Sequence, residues 1–193
     1  MSAVIGFLPE RLRAFMAACP QVEVSLQEQD THDVIRACLD DRADVGVGVE
    51  LPVSAGLESW PFAIDPLQVL MPADHGLARR KSLNFALALE HPLIGVHQGG
   101  ALDRSLHERA AALHRQFAPT VTVSSFDAVC RMVEAGLGIA VVPQSAAAAY
   151  AGNPRFALRP LKEPWATRVL RMYALRKTPR LPAVAALIEA LRG

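Results

Sequence analysis

The stretch Val121-Thr-Val-Ser-Ser-Phe-Asp-Ala-Val-Cys-Arg-Met-Val-Glu-Ala-Gly-Leu-Gly-Ile-Ala-Val-Val-Pro143 reads as a strand, a capped helix, a glycine stop and a second strand in barely two dozen residues. Val121 and Val123 alternate with polar neighbours, the period of a half-buried strand. Ser124 and Asp127 form an S-x-x-D start, in which a side-chain oxygen accepts from free amides of the first helical turn. Phe126, Val129, Val133 and Leu137 follow at helical spacing, and Gly136 supplies the left-handed residue that stops the helix. Ile139 to Val142 is a short apolar run suited to a strand covered on both faces, and Pro143 is suited to opening the next helix. A β-α-β-α unit of this kind predicts a parallel sheet. It places Ser124, Ser125 and Phe126 where a strand ends and a helix begins, the usual point of ligand contact in such sheets.

The same alternation runs along the rest of the chain. Leu8, Leu12, Phe15 and Met16 share a helical face, and Pro20 follows its end. Val22, Val24 and Leu26 alternate as a strand. Asp30 or Thr31 caps a helix that carries Val34, Ile35, Cys38 and Leu39 inward. Val45, Val47 and Val49 alternate with Asp44, Gly46 and Gly48, a strand with one face open to close approach. Leu67 to Met71 is a strand, Ser82 begins a short helix, and Pro92 to Val96 is a buried strand. His97-Gln98-Gly99-Gly100 is a loop, followed by a helix carrying Leu102, Leu106, Leu113 and Phe117. Val169 to Leu175 reads as a strand, and Val184, Leu187, Ile188 and Leu191 mark a closing helix. The pattern is α/β throughout.

Composition sets independent bounds. The 193 residues are 51% hydrophobic and 20% charged, an ordinary globular balance with room for one large domain or two small lobes. With 20 basic and 19 acidic residues the chain carries no electrostatic footprint for nucleic acid, and the Arg79-Arg80-Lys81 cluster reads as a solvated turn. Cys19, Cys38 and Cys130 are odd in number and sit in apolar helical settings, which fits reduced thiols in a cytoplasmic protein. Neither a leader nor an apolar run of membrane-spanning length is read, so no membrane partner is expected.

Met132-Val-Glu-Ala-Gly-Leu-Gly-Ile-Ala-Val-Val-Pro143 resembles the signature of the effector-binding domain of LysR-type transcriptional regulators. Gly6-Phe-Leu-Pro-Glu-Arg-Leu-Arg-Ala-Phe15 and Cys19-Pro-Gln-Val-Glu-Val-Ser-Leu-Gln-Glu28 resemble the family's opening helix and second strand. Asp41-Arg-Ala-Asp-Val-Gly-Val-Gly48 resembles its third strand, and Pro66-Leu-Gln-Val-Leu-Met-Pro-Ala-Asp-His-Gly-Leu-Ala78 its first crossover. The pieces run in the family's order along essentially the whole chain.

The resemblance implies a two-lobed fold of the type II periplasmic-binding-protein kind, with crossovers near Val69 to Pro72 and Arg168 to Tyr173. Lobe one is then residues 1–71 with 172–193, and lobe two is residues 72–171. It implies an effector cleft between the lobes and an antiparallel homodimer or tetramer. DNA contact is expected only through a winged helix-turn-helix domain that this sequence does not contain. In the family a strand precedes the first helix; this chain starts at Met1-Ser2, so the first strand is expected to be missing and the isolated chain is not expected to be a well-behaved monomer. A solute-binding protein for transport, which shares the fold, is the alternative.

The site expectations follow from helix starts, whose free amides and dipole receive anions. Ser2, Thr31, the His97-Gln98-Gly99-Gly100 loop and Ser124-Ser125-Phe126 are the candidate ligand contacts, and the expected effector is a small carboxylate. Residues matching Ser2 and Thr31 are ones the resemblance implies as contacts; the plain alternative is that Ser2, Thr31 and Ser124 are N-caps, and the two roles are compatible. Gly99-Gly100 lets backbone amides approach a ligand or makes an ordinary turn, and Phe126 walls the site or packs in the core. Catalysis, metal and cofactor are not expected. His107 and His114 share a predicted helical face without a carboxylate or Cys at ligand spacing, and His75 and His91 have no partner in sequence. Gly136-x-Gly138 follows a helix and leads into a strand, the reverse of a dinucleotide loop, and no G-x-S-x-G elbow is present.

Overall fold

The structure is a computed structural model that describes residues 6–52 and 55–192. Ser2 and the question of a strand before the first helix lie outside the described residues. The chain forms two compact units, residues 1–65 with 168–193 and residues 66–167. The chain passes from one to the other inside two long strands, β2 (Leu57–Pro72) and β7 (Thr167–Leu175). Val69 to Pro72 and Arg168 to Tyr173, named above for the crossovers, are stretches of these two strands, and the units divide at Asp65 and Arg168.

In the first unit, helices α1 (Leu8–Ala18) and α2 (Thr31–Leu39) precede strand β1 (Gly46–Val49), and helix α7 (Pro182–Arg192) closes the chain. Strand β1 runs antiparallel to β7, with Gly46 opposite Tyr173 and Val49 opposite Leu170, and β7 lies beside β2. Leu8 of α1 joins Phe62, Leu170, Met172, Ile188 and Leu191 in one apolar core, while Cys38, Leu57 and Tyr173 form a second beneath α2. The glycines of Gly46-Val-Gly-Val49 set the distance between α2 and the sheet. A Cβ on Gly46 would lie 2.4 Å from Val34 Cγ1, and one on Gly48 would lie 2.8 Å from Thr31 Cγ2. The close approach that the open face of this strand foretold is therefore made by the chain's own helix. Tyr173, fully buried, donates its hydroxyl to Val49 O at 3.0 Å and accepts from Leu51 N at 3.1 Å, which fixes the end of β1.

Val22 to Leu26, expected as a strand, forms no strand with a partner among the described residues, and Leu26 is half exposed. Apolar alternation alone does not make a strand, which also needs a partner for its amides and carbonyls.

In the second unit, β2 is flanked on one side by β5 (Ala140–Pro143) and on the other by β6 (Phe156–Pro160), both antiparallel. Strands β3 (Ile94–Val96) and β4 (Val121–Val123) pair in parallel, and a parallel bridge from Leu93 to Ile139 carries that pairing to the foot of β5. The expected parallel sheet is thus mixed. Its parallel contacts join β4 and the foot of β5 to the β3 region, its antiparallel contacts join β5 and β6 to β2, and β2, β3 and β6 all enter from outside the β-α-β-α segment.

Helices α3 (Phe85–Ala88), α4 (Ala101–Ala112), α5 (Phe126–Glu134) and α6 (Gln144–Ala147) complete this unit. Asn84, rather than Ser82, opens α3, its Oδ1 accepting from Leu87 N at 3.0 Å. Helix α4 stops at Ala112, Leu113 is exposed, and Phe117 reaches the core from beyond the helix. The core holds Val69, Met71, Phe85, Leu106, Phe117, Ile139 and Val141. No helix among the described residues is long and apolar enough to cross a membrane.

Candidate functional site

Parallel pairing of β3 with β4 puts the two loops that follow these strands at the same edge. His97 N–H donates to Val123 O at 2.9 Å, and the His97 ring meets the Phe126 ring edge to face at 6.3 Å between centroids. The starts of α4 and α5 are therefore neighbours, and the seven candidates His97, Gln98, Gly99, Gly100, Ser124, Ser125 and Phe126 are brought together within the second unit.

Helix α5 begins one residue later than its S-x-x-D spacing predicts. Ser125 is the N-cap, with extended backbone (φ −145°, ψ 155°), and its Oγ accepts from Ala128 N at 3.2 Å. The shift has a local cause: Val123 is still in register with Val96, so the chain leaves the sheet only at Ser124. Ser124 is an exposed bend residue. Phe126, buried, is the first helical residue and anchors the start against His97. Gly136, at φ +75°, follows the end of α5 as expected. Asp127 faces away from capping. It accepts from the Tyr150 hydroxyl at 2.6 Å and pairs with Arg131 at 2.9 Å, and these two contacts, the Tyr150 hydroxyl first, hold its carboxyl below the usual range. The same bond, with burial, pushes the Tyr150 phenol up.

The start of α4 is built differently. Gly100 is its N-cap and has no side chain to offer. His97 (φ +50°) and Gly99 (φ +74°) are both left-handed, a conformation glycine takes without strain and histidine more often than most residues. Gly100 N–H donates to His97 O at 2.7 Å. Gly99 N–H donates to Asp103 Oδ2 at 2.8 Å, and Arg104 donates to Gly99 O. Asp103 is buried, 8% exposed. Its other oxygen lies 3.7 Å from His107 Nδ1, and that nitrogen donates to Asp103 O at 2.9 Å. The amides of Gly99 and Gly100 thus already have acceptors within the chain. Asp103, which the sequence reading passed over, stands three residues after the glycine N-cap, a spacing that marks acidic residues reaching back over a helix start. His107 does have a carboxylate, one helical turn behind it.

Thr31 lies in the first unit as the opening residue of α2. The N-cap position is Asp30, whose side chain makes no capping bond. The Thr31 hydroxyl instead accepts from Val49 N at 3.1 Å, tying α2 to the end of β1.

Elsewhere in the second unit, His75 and His91 meet ring to ring at 4.8 Å although they are far apart in sequence. His75 Nδ1 accepts from Leu77 N at 3.2 Å, which requires that nitrogen to be unprotonated. Burial, then the neighbouring His91, lower the His75 pKa, against an upward pull from Asp74. Burial pushes the Cys38 and Cys130 thiols up to about 11, the carboxylate of Asp44 adding to the rise at Cys38 and that of Asp127 at Cys130. Among the described residues no group of three or more His, Cys, Asp and Glu is arranged to hold a metal ion.

The chain matches the family model described as the LysR substrate binding domain over residues 1–193. It is 28% identical over 192 residues to a protein of Synechococcus elongatus named "Probable HTH-type transcriptional regulator LrrA", covering 99% of this chain and 63% of that protein. It is also 28% identical over 189 residues to the HTH-type transcriptional regulator CbbR of Xanthobacter flavus, covering 96% of this chain and 56% of the relative. The chain therefore spans roughly three-fifths of the length of the curated relatives it matches, 63% and 56% for these two. Among solved structures it is similar to the CcmR regulatory domain of Synechocystis PCC6803 in complex with 2-PG, at a TM-score of 0.86 and 19% identity over 99% of this chain and 91% of that one. The BenM effector binding domain with its effector benzoate gives a TM-score of 0.81 at 19% identity, covering 99% of this chain and 86% of that one. Likeness at this identity speaks to fold alone. The two-unit α/β architecture, the residue order and the full-length family match agree: this chain belongs to the LysR substrate binding domain family and has its type II periplasmic-binding-protein-like fold.

Proposed function

We propose that the chain is the effector-sensing domain of a transcription regulator and takes a small organic anion at the start of α5. The observation that carries this reading is the start of α5 at the edge of β3 and β4, where the helix dipole favours negative charge. Ser125 supplies a hydroxyl and Phe126 with His97 an aromatic wall. The named relatives are transcriptional regulators, which favours sensing over solute transport and over catalysis. The protein works in the cytoplasm, pairs with a second copy of itself, and reaches DNA through a helix-turn-helix domain of the whole regulator.

A thermal-shift screen across metabolites tests the ligand class. Small carboxylates and phosphates raise the midpoint; a response confined to cations or purely apolar compounds would overturn it. Sedimentation equilibrium tests the pairing, and a monomer at all concentrations in the whole regulator counts against it.

A further inference from the structure

The two neighbouring helix starts differ in one respect that bears on what the site accepts. At α5 the cap is a neutral hydroxyl, Ser125, and the one acid of the first turn, Asp127, is turned to Arg131 and the Tyr150 hydroxyl. At α4 the acid of the first turn sits on the loop itself. Asp103 Oδ2 accepts from Gly99 N–H at 2.8 Å, and the carboxylate is nine-tenths buried. The His107 ring lies 3.7 Å from its other oxygen, is half exposed and is committed through Nδ1 to the Asp103 carbonyl. Arg104, the other basic residue of this turn, is directed to Gly99 O.

From this geometry we propose that Asp103 is a specificity-determining residue: a built-in anion that occupies the α4 start and makes the His97-Gln98-Gly99-Gly100 loop refuse negatively charged groups. The inference rests on the proposed anion site at α5 and deepens it. A ligand whose carboxylate or phosphate is held at Ser125 and Phe126 must present an uncharged or donor-bearing end, such as a hydroxyl, towards the α4 loop. A second anionic group there would meet the Asp103 charge at short range in a partly desolvated setting, where like charges repel strongly. The left-handed turns at His97 and Gly99 serve the same arrangement, because they carry the Gly99 amide back over the first turn to the Asp103 carboxylate.

The test is a titration of the 193-residue chain with inorganic phosphate, followed amide by amide by ¹⁵N NMR, in the parent and in Asp103→Asn. Asparagine keeps an oxygen for Gly99 N–H and removes the charge. In the parent, phosphate is expected to shift the amides of Phe126 to Ala128 and to leave Gly99 to Leu102 in place. In Asp103→Asn the Gly99 to Leu102 amides are expected to join, at a midpoint about tenfold or more below the highest phosphate concentration that leaves them in place in the parent, the order that removing one close like charge gives. Equal response of both starts in the parent would overturn the proposal, and that comparison needs no variant. So would an α4 loop that stays silent in Asp103→Asn. A loop that responds only in the variant, with Phe126 to Ala128 silent in both proteins, supports the role of Asp103 and removes the α5 site instead.

Discussion

Replacing Ser125 with alanine removes both a cap and a ligand donor, and the two effects separate by measurement. Loss of the bond from Ala128 N lowers unfolding free energy by about 1 kcal/mol, read from a urea curve. Ser125→Gly costs only a few tenths by that route, since glycine tolerates the N-cap backbone. Carboxylate affinity falls in both variants alike, because both lack the hydroxyl. Equal stability of alanine and parent would show that the cap bond carries nothing. At His75 the expected signal is a pH dependence. Its folded-state pKa is lowered from 6.5, so the unfolded chain takes up a proton before the folded one does. Stability from this group is complete above pH 6.5 and is lost as pH falls below that value towards the folded pKa. Protonation also breaks the bond from Leu77 N and sets a charge against His91. His75→Asn, which can keep the acceptor without titrating in this range, flattens the curve below pH 6.5 in acid-range thermal melts.

At the scale of elements, Gly46→Ala tests the packing of α2 on β1. The new methyl meets Val34 Cγ1 at 2.4 Å and Cys38 Sγ at 3.0 Å, so helix and strand must separate, at a cost of about 1–3 kcal/mol by denaturant titration. An unchanged midpoint would mean the helix moves without penalty. The alternation of Gly46 and Gly48 with valines announced such a close approach, because periodicity and side-chain size are local properties. Helix α5, its glycine stop and β5 were legible for the same reason. The cap at Ser125 instead of Ser124 was not, since it depends on how far β4 stays paired with β3. Whether Val22 to Leu26 joins a ladder and the antiparallel contacts of β5 with β2 also depend on partners distant in the chain. In the candidate site the loop and both serines stood out as turn chemistry. Asp103 was hidden because its role lies in reaching back over Gly99, though its spacing from Gly100 carried the signal.

At the scale of the whole molecule, the chain leaves the first unit after Asp65 and returns at Arg168, and these two residues pair with each other. Arg168 donates to Asp65 Oδ2 at 2.5 Å and to Asp65 O at 3.2 Å, with the carboxylate fully buried. Burial lowers the Arg168 pKa, opposed by the Asp65 charge beside it. Asp65→Ala leaves the guanidinium without its buried counter-charge and is expected to destabilise the protein by about 3–5 kcal/mol in urea unfolding. Replacing both residues with apolar ones of similar volume recovers much of the loss, and failure of that rescue would show that the pair does more than satisfy itself.

The buried thiols turn the fold into its own clock. With pKa values pushed up to about 11, Cys38 and Cys130 hold almost no thiolate at neutral pH and have little exposed surface. Cys19 alone is partly accessible. A maleimide added to the native chain should therefore label one position within minutes and the other two only as fast as α2 and α5 lift from their cores. The two slow rates measure, separately and without any introduced probe, how often each unit opens. An anion bound at the start of α5 should slow the Cys130 reaction while leaving Cys38 at its own pace.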